Sequence, residues 1–369
     1  MSALYFHIPF CKRICAYCDF VRTADMRRCG DVLQAMHREL RERCTELEDK
    51  RIRTVYFGGG TPSLLPPEEL QRLVQTAAGC LDLSQVEECT VEINPDDATD
   101  DYLRRLRRVA DRLSIGIQSL DDACLRAMNR RHTAAQALKA VERARKAGFD
   151  NISVDLIFGM GGFGEERSAE DARRMLSLEP EHVSAYHLTI EPGTAFGRRV
   201  ARGEMSEVDE ERGEREYMAL HELFTAAGYE HYEVSNYALP GRRAKHNSSY
   251  WDATPYLGIG AGAHSFTGRV RSRASSSVEE YAAGRGRECE VLTRKDMRNE
   301  MVMLSLRRAE GLDMRAFAER FGQSGAEALE RAAQPFVRSG ALVQKGCRMV
   351  IPPEKFMISD YVASALFEL

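Results

Sequence analysis

Apolar residues recur through the first half of the chain in short runs, each stopped by Gly, Pro, Asn or Asp and separated from the next by a stretch of helical spacing. These runs predict strands at Leu4 to Phe10, Thr54 to Phe57, Cys89 to Ile93, Leu113 to Ile117, Ile152 to Ile157 and Val183 to Ile190. Short apolar runs of this kind suit parallel strands buried between layers. The intervening helices carry their own punctuation. Thr133-Ala-Ala-Gln136 reads as a capping box opening a helix that Gly148 closes, and Thr99 ahead of Asp100 and Asp101 opens another. Six strand-helix units in series, with right-handed connections, predict an α/β fold: a partial (β/α)6 TIM-like barrel. Function in such folds gathers at the carboxyl ends of the strands.

The pattern changes later in the chain. Ser206 to Gly228 reads as a long amphipathic helix with an acidic first half and with Tyr217, Leu220, Leu223, Phe224 and Ala227 on one face. Beyond Tyr250 the alternation stops. Gly258-Ile-Gly-Ala-Gly-Ala-His264 is a small-residue run suited to close backbone packing or to the lip of a site, and from Arg294 onward short helices form a separate lobe. The expected division is a core of residues 1–255 and a smaller, mainly helical C-terminal domain of residues 256–369.

Composition narrows the function classes. With 369 residues, 43% of them hydrophobic, the chain can bury a substantial core. The net charge is −4, and Arg104, Arg105, Arg107 and Arg108 have acidic neighbours, so they read as a solvated helix face and no nucleic-acid partner is expected. No apolar run approaches the roughly 20 residues needed to cross a bilayer. Ten cysteines with no secretion signal ahead of them point to a reducing, cytoplasmic location.

Candidate chemistry concentrates between Tyr5 and Phe20. Cys11, Cys15 and Cys18 follow an apolar strand, with three and then two residues between them. Thiolates ligate iron-sulfur clusters, and this spacing lets one loop reach three corners of a cube. A structural zinc site would want four ligands, usually as two Cys-x-x-Cys pairs, and there is no second pair. A disulfide framework fits poorly, because the other cysteines are scattered singly in a chain too long to need staples. Three ligands leave a fourth iron open to a chelating amine and carboxylate, and the loop resembles that of the radical S-adenosylmethionine enzymes. Gly58-Gly59-Gly60-Thr61-Pro62 follows the second strand, where absent side chains allow a ligand close to the backbone; a plain turn is the alternative. Glu92, Gln118 and Asp155 are polar residues on otherwise apolar strands, which need partners in the protein or a ligand.

Several longer segments extend the resemblance over nearly the whole chain: His7-Ile-Pro-Phe-Cys11, Gly58 to Pro62, Glu92-Ile-Asn-Pro95, Gly116-Ile-Gln118, Tyr186 to Thr194, and His246-Asn-Ser-Ser-Tyr-Trp251. Together they resemble the oxygen-independent coproporphyrinogen III oxidase family, and within it the heme-chaperone members. The resemblance implies a 4Fe-4S cluster on Cys11, Cys15 and Cys18. It also implies S-adenosylmethionine contacts at Tyr5, Tyr17, Gly59, Gly60, Thr61, Glu92, Gln118, Arg130 and Asp155, with His187 matching a sixth-strand position. Departures separate the two branches. The oxidase pattern has a further cysteine where this chain has Phe20, and an N-terminal extension not found here. Both favour a carrier of heme, delivering to acceptor proteins and meeting a membrane only through them, over a radical decarboxylase of a porphyrinogen. Two other departures are local. Gly159-Met-Gly-Gly162 stands for the family's Gly-Leu-Pro-Gly, and Lys355 replaces a glycine near the C-terminus. The resemblance points to His246 as the axial ligand of heme, with Trp251 and Tyr250 supplying flat surfaces; His187 and His264 are the rival ligands.

Overall fold

All six apolar runs become strands in the computed structural model, which describes residues 1–368. They are β1 (Ser2–Ile8), β2 (Ile52–Gly59), β3 (Glu88–Ile93), β4 (Arg112–Gln118), β5 (Ile152–Phe158) and β6 (His182–His187), each parallel to the next. Two strands end earlier than expected. β1 stops at Ile8 because Pro9 has no amide hydrogen to continue the ladder. β6 stops at His187, and the chain turns through Glu191 so that the Thr194 hydroxyl caps the helix Ala195–Ala201.

Residue alternation divides each strand between two environments. Leu4, Phe6, Val55, Phe57, Val91, Leu113, Ile115, Val154, Leu156 and Val183 are buried against the surrounding helices, each contributing about 1.5–3 kcal/mol of burial. The other set points inward and is polar: Tyr5 and His7; Thr54 and Tyr56; Glu88, Thr90 and Glu92; Arg112 and Ser114; Ser153 and Asp155; His182 and Ser184. This barrel therefore has a hydrogen-bonded interior where an ordinary one is filled by aliphatic side chains.

The helix signals hold locally. Thr133 and Gln136 form the reciprocal capping box of the helix Ala134–Lys146, and the Thr99 hydroxyl accepts from Tyr102 N at the start of the helix Asp100–Leu106. The amphipathic helix spans Glu210–Ala226, capped by Asp209, and buries Gly213, Glu216, Tyr217, Leu220 and Phe224. Arg104 is exposed and pairs with Asp101, and the half-buried Arg105 pairs with Asp101 and Glu68. No helix among the described residues is long and apolar enough to cross a membrane.

After β6 the parallel order ends while the sheet continues. β7 (Glu230–Glu233) and β8 (Asn236–Ala238) add antiparallel to β6 at one edge. At the other, β9 (Tyr256–Ile259) lies parallel to β1, followed by β10 (His264–Phe266), β11 (Val270–Arg273) and β12 (Glu288–Val291) in antiparallel order. The twelve strands form one open sheet with β12 and β7 at its ends. The small-residue run serves close packing: any side chain at Gly258 would collide with the His264 carbonyl. The helices Arg294–Leu306, Met314–Phe321, Gln323–Arg338 and Ser359–Ala365, with a three-stranded sheet, make up the mainly helical C-terminal region.

The helix Lys245–Trp251 closes the amino-terminal end of the barrel. The buried Glu88 carboxylate accepts from Lys245 N and His246 N at 3.1 Å each, so a strand residue satisfies the first amides of this helix.

Candidate functional site

The cysteine loop is pinned at both ends and along its length. Phe10 and Thr23 bridge its base, with Cys11 N donating to Thr23 O at 2.9 Å and Thr23 N to Pro9 O at 2.7 Å. Further along, Ala16 N donates to Met128 O and Asn129 Nδ2 to Ile14 O. Lys12 Nζ pairs at 2.8 Å with Asp97, a buried carboxylate that also takes Ser63 Oγ and Arg131. These contacts hold the loop across the carboxyl ends of the strands.

The three thiols open onto one cavity of about 360 Å³. Cys11 Sγ accepts from the Thr61 hydroxyl and Cys15 Sγ from Arg130 Nη1, each at 3.4 Å. Burial pushes the Cys11 thiol up and that of Cys18 up to about 11, against the opposing pull of Arg22. Among the described residues no three His, Cys, Asp or Glu converge on a point as a single ion requires. A cube takes each thiolate on a different iron, and three thiols of one loop opening onto one cavity suit it.

Tyr17, Gly59, Gly60, Thr61, Glu92, Gln118, Arg130 and Asp155 line the same cavity as the three cysteines. Gly59 has φ of 101°, and a side chain at Gly60 would meet Ile8 O at 2.7 Å and Phe10 O at 2.8 Å, so this wall must be bare backbone. Glu92 accepts from Tyr56 Oη at 2.8 Å and from Gly59 N at 3.2 Å. Burial, with the nearby charge of Asp155, raises its carboxyl to about 7, while burial raises Asp155 to about 6. Gln118 sits at φ 69° in a register irregularity between β4 and β5, and its buried Oε1 has no partner. Arg130 binds Asn94 Oδ1 at 2.6 Å and the Gly116 carbonyl, leaving Nε unpartnered. Strained backbone and unpaired buried polar atoms facing one cavity mark a ligand site.

Two expected residues lie elsewhere. Tyr5 is off the cavity wall; its hydroxyl meets His7 Nδ1 at 3.0 Å and its ring packs on Tyr56, so it supports the wall from behind. His246 is 1% exposed, with Nδ1 on Thr54 Oγ1 at 2.8 Å and Nε2 on Tyr250 Oη at 3.0 Å. In this structure His246 is therefore engaged through both ring nitrogens in the barrel floor and does not line the cavity. Sequence reasoning passed over Asn94, Ser114 and Tyr186, which also line the cavity. Alternation from Glu92, Gly116 and Asp155 could have found the first two, since residues two apart share a face.

The sequence matches the family model described as the Radical SAM superfamily over residues 5–175 and that described as the HemN C-terminal domain over residues 292–354. It is 38% identical to the heme chaperone HemW of Lactococcus lactis, over 87% of this chain and 85% of that one. Identity is 34% with HemW of Bacillus subtilis, covering 88% of each chain, and 32% with HemW of Mycobacterium tuberculosis, covering 98% and 94%. Among solved structures, the coproporphyrinogen III oxidase HemN from Escherichia coli superposes with a TM-score of 0.83, over 99% of this chain and 89% of that one, at 21% identity.

Proposed function

Because the chain belongs to the heme chaperone HemW family within the radical SAM superfamily, we propose that it binds heme and passes it to acceptor proteins, and that its barrel cavity holds a 4Fe-4S cluster with S-adenosylmethionine. The observation that carries the cofactor reading is that the thiols of Cys11, Cys15 and Cys18 open onto the same cavity as Gly59, Gly60 and Glu92. Such a cluster together with S-adenosylmethionine would supply one-electron reductive chemistry or a redox-sensitive regulatory centre.

The chain's own residues do the rest. Cys11, Cys15 and Cys18 hold the cluster. Gly59 and Gly60 give a ligand's amine and carboxylate access to the backbone, and Glu92, poised near neutrality, becomes fully ionised when an ammonium group enters. The free Gln118 Oε1 and Arg130 Nε receive polar groups, and Tyr17 and Asp155 complete the wall. Thr61 orients Cys11 through its hydroxyl. Tyr5 acts through its packing on Tyr56, which holds Glu92.

On this reading the protein works in the cytoplasm as a carrier, and porphyrinogen decarboxylation is not its task. Phe20, where the oxidase pattern has a further cysteine, is 67% exposed at the cavity rim. The test incubates reconstituted protein, anaerobically with reductant and S-adenosylmethionine, once with heme and once with coproporphyrinogen III. Heme should bind stoichiometrically and no decarboxylated product should form. Catalytic accumulation of that product would replace the carrier by the oxidase.

A further inference from the structure

Asn94 stands directly after β3 and opens the turn Pro95–Asp97. The proline that follows keeps its backbone extended, at φ −87° and ψ 143°, and the residue lines the cavity. Its amide lies between two groups that themselves reach cysteine sulfurs. Arg130 Nη2 donates to Asn94 Oδ1 at 2.6 Å, while Arg130 Nη1 donates to Cys15 Sγ at 3.4 Å. On the other side Asn94 Nδ2 donates to Thr61 Oγ1 at 3.3 Å, and the Thr61 hydroxyl donates to Cys11 Sγ at 3.4 Å. One hydrogen-bonded chain therefore runs from Cys15 through Arg130, Asn94 and Thr61 to Cys11.

Chemistry fixes the direction of this chain. A guanidinium only donates, so the amide oxygen must face Arg130 and the amide nitrogen must face Thr61. That nitrogen occupies a lone pair of the Thr61 oxygen, which leaves the hydroxyl hydrogen for Cys11 Sγ. Both ends of the amide are anchored. Arg130 also donates to the Gly116 carbonyl, and Asn94 N donates at 3.3 Å to Ser63 Oγ, which in turn donates to the buried Asp97 at 2.9 Å. The nearby carboxylate of Asp96 pairs with Arg131 at 2.9 Å, so the guanidinium of Arg130 is shared between the Cys15 sulfur and two neutral oxygens.

Hydrogen bonds to the sulfurs of an iron-sulfur cluster raise its reduction potential, because donors favour the more negative, reduced state. We propose that Asn94 is a positioning residue that sets the reduction potential of the cluster by orienting the donors on Cys11 and Cys15. The proposal rests on the cluster reading above and adds which residue governs the ease of reduction.

The test is a redox titration of the anaerobically reconstituted chain without S-adenosylmethionine. The electron paramagnetic resonance signal of the reduced cluster reports the midpoint potential, and iron content reports occupancy. Omitting the cofactor keeps its affinity for Thr61 and Arg130 out of the reading. Thr61→Val, which keeps the shape and removes the donor, should weaken the reduction equilibrium about tenfold, a fall of about 59 mV for one electron. Thr61→Ser should restore the parental value. Asn94→Asp should lower the midpoint at least as far, because its second oxygen draws the Thr61 hydroxyl away from Cys11 and its charge neutralises Arg130. In an Asn94→Asp chain the further change Thr61→Val should then matter less than it does in the parent. Parental midpoints in Thr61→Val and Asn94→Asp overturn the proposal and leave the cluster reading standing. So do shifts that simply add, which would mean that Asn94 does not act through Thr61. An Asn94→Asp chain that folds but holds no iron overturns it as well, since Asn94 would then retain the cluster and not tune it. A parent that assembles no 4Fe-4S cluster overturns the cofactor reading together with the proposal.

Discussion

Glu92 and Asp155 face each other across a buried chamber, and their raised carboxyl pKa values, about 7 and about 6, make the cavity a source of pH dependence. A carboxyl whose folded pKa exceeds its unfolded one holds its proton longer in the folded state. The stability it contributes is full below about pH 4 and is lost as pH rises through 6 to 7. Glu92→Gln, which removes the charge but keeps the shape, should therefore stabilise the cofactor-free chain at pH 8 by on the order of 2 kcal/mol and leave it unchanged at pH 4. Denaturant unfolding at the two pH values checks this, and a gain equal at both would contradict it. His246 yields the opposite kind of prediction. His246→Ala should cost about 1–3 kcal/mol by stranding the Thr54 and Tyr250 hydroxyls, while heme affinity and cluster iron stay at parental levels. Composition does not reveal that His246 is buried in the barrel floor.

The element that best illustrates cooperation between distant parts of the sequence is the helix Lys245–Trp251. It has no side-chain cap of its own; its first amides are met by Glu88, far earlier in the chain. Glu88→Ala should accordingly cost about 1–2 kcal/mol, the range for lost helix caps, and loosen the barrel floor without emptying the cysteine loop of iron. Thermal unfolding together with iron analysis separates the two effects. Local signals sufficed where an element is stabilised by its own neighbours in sequence. Thr133 with Gln136 marked a helix start to the residue. They did not suffice for β9, whose Gly258 and Ile259 read as a small-residue run and become a strand because β1 lies beside them.

Over the whole molecule, the six parallel strands were legible because their outward faces are continuously apolar, and the cysteine loop because its spacing is tight. The polar interior was only partly legible, since inward residues such as Arg112, Ser114 and His182 acquire meaning from neighbours on other strands. The same applies to the C-terminal region, where the Pro353–Ile358 turn returns to the core: Tyr217 Oη donates to Pro353 O at 2.7 Å, and Phe356 is fully buried against His231. Phe356→Ala should destabilise the chain by about 3–5 kcal/mol, measurable as a fall in the denaturant midpoint, although the residue is remote from the cysteine loop in sequence. The account as a whole turns on whether the barrel cavity joins a three-thiolate cluster to S-adenosylmethionine. The most direct measurement is the electron paramagnetic resonance spectrum of the reduced, reconstituted protein with and without S-adenosylmethionine, compared with the Cys11→Ala, Cys15→Ala, Cys18→Ala chain. The account predicts a 4Fe-4S signal that S-adenosylmethionine reshapes in the parent and that is absent from the triple variant; a signal indifferent to S-adenosylmethionine, or one that survives loss of the three cysteines, would contradict it.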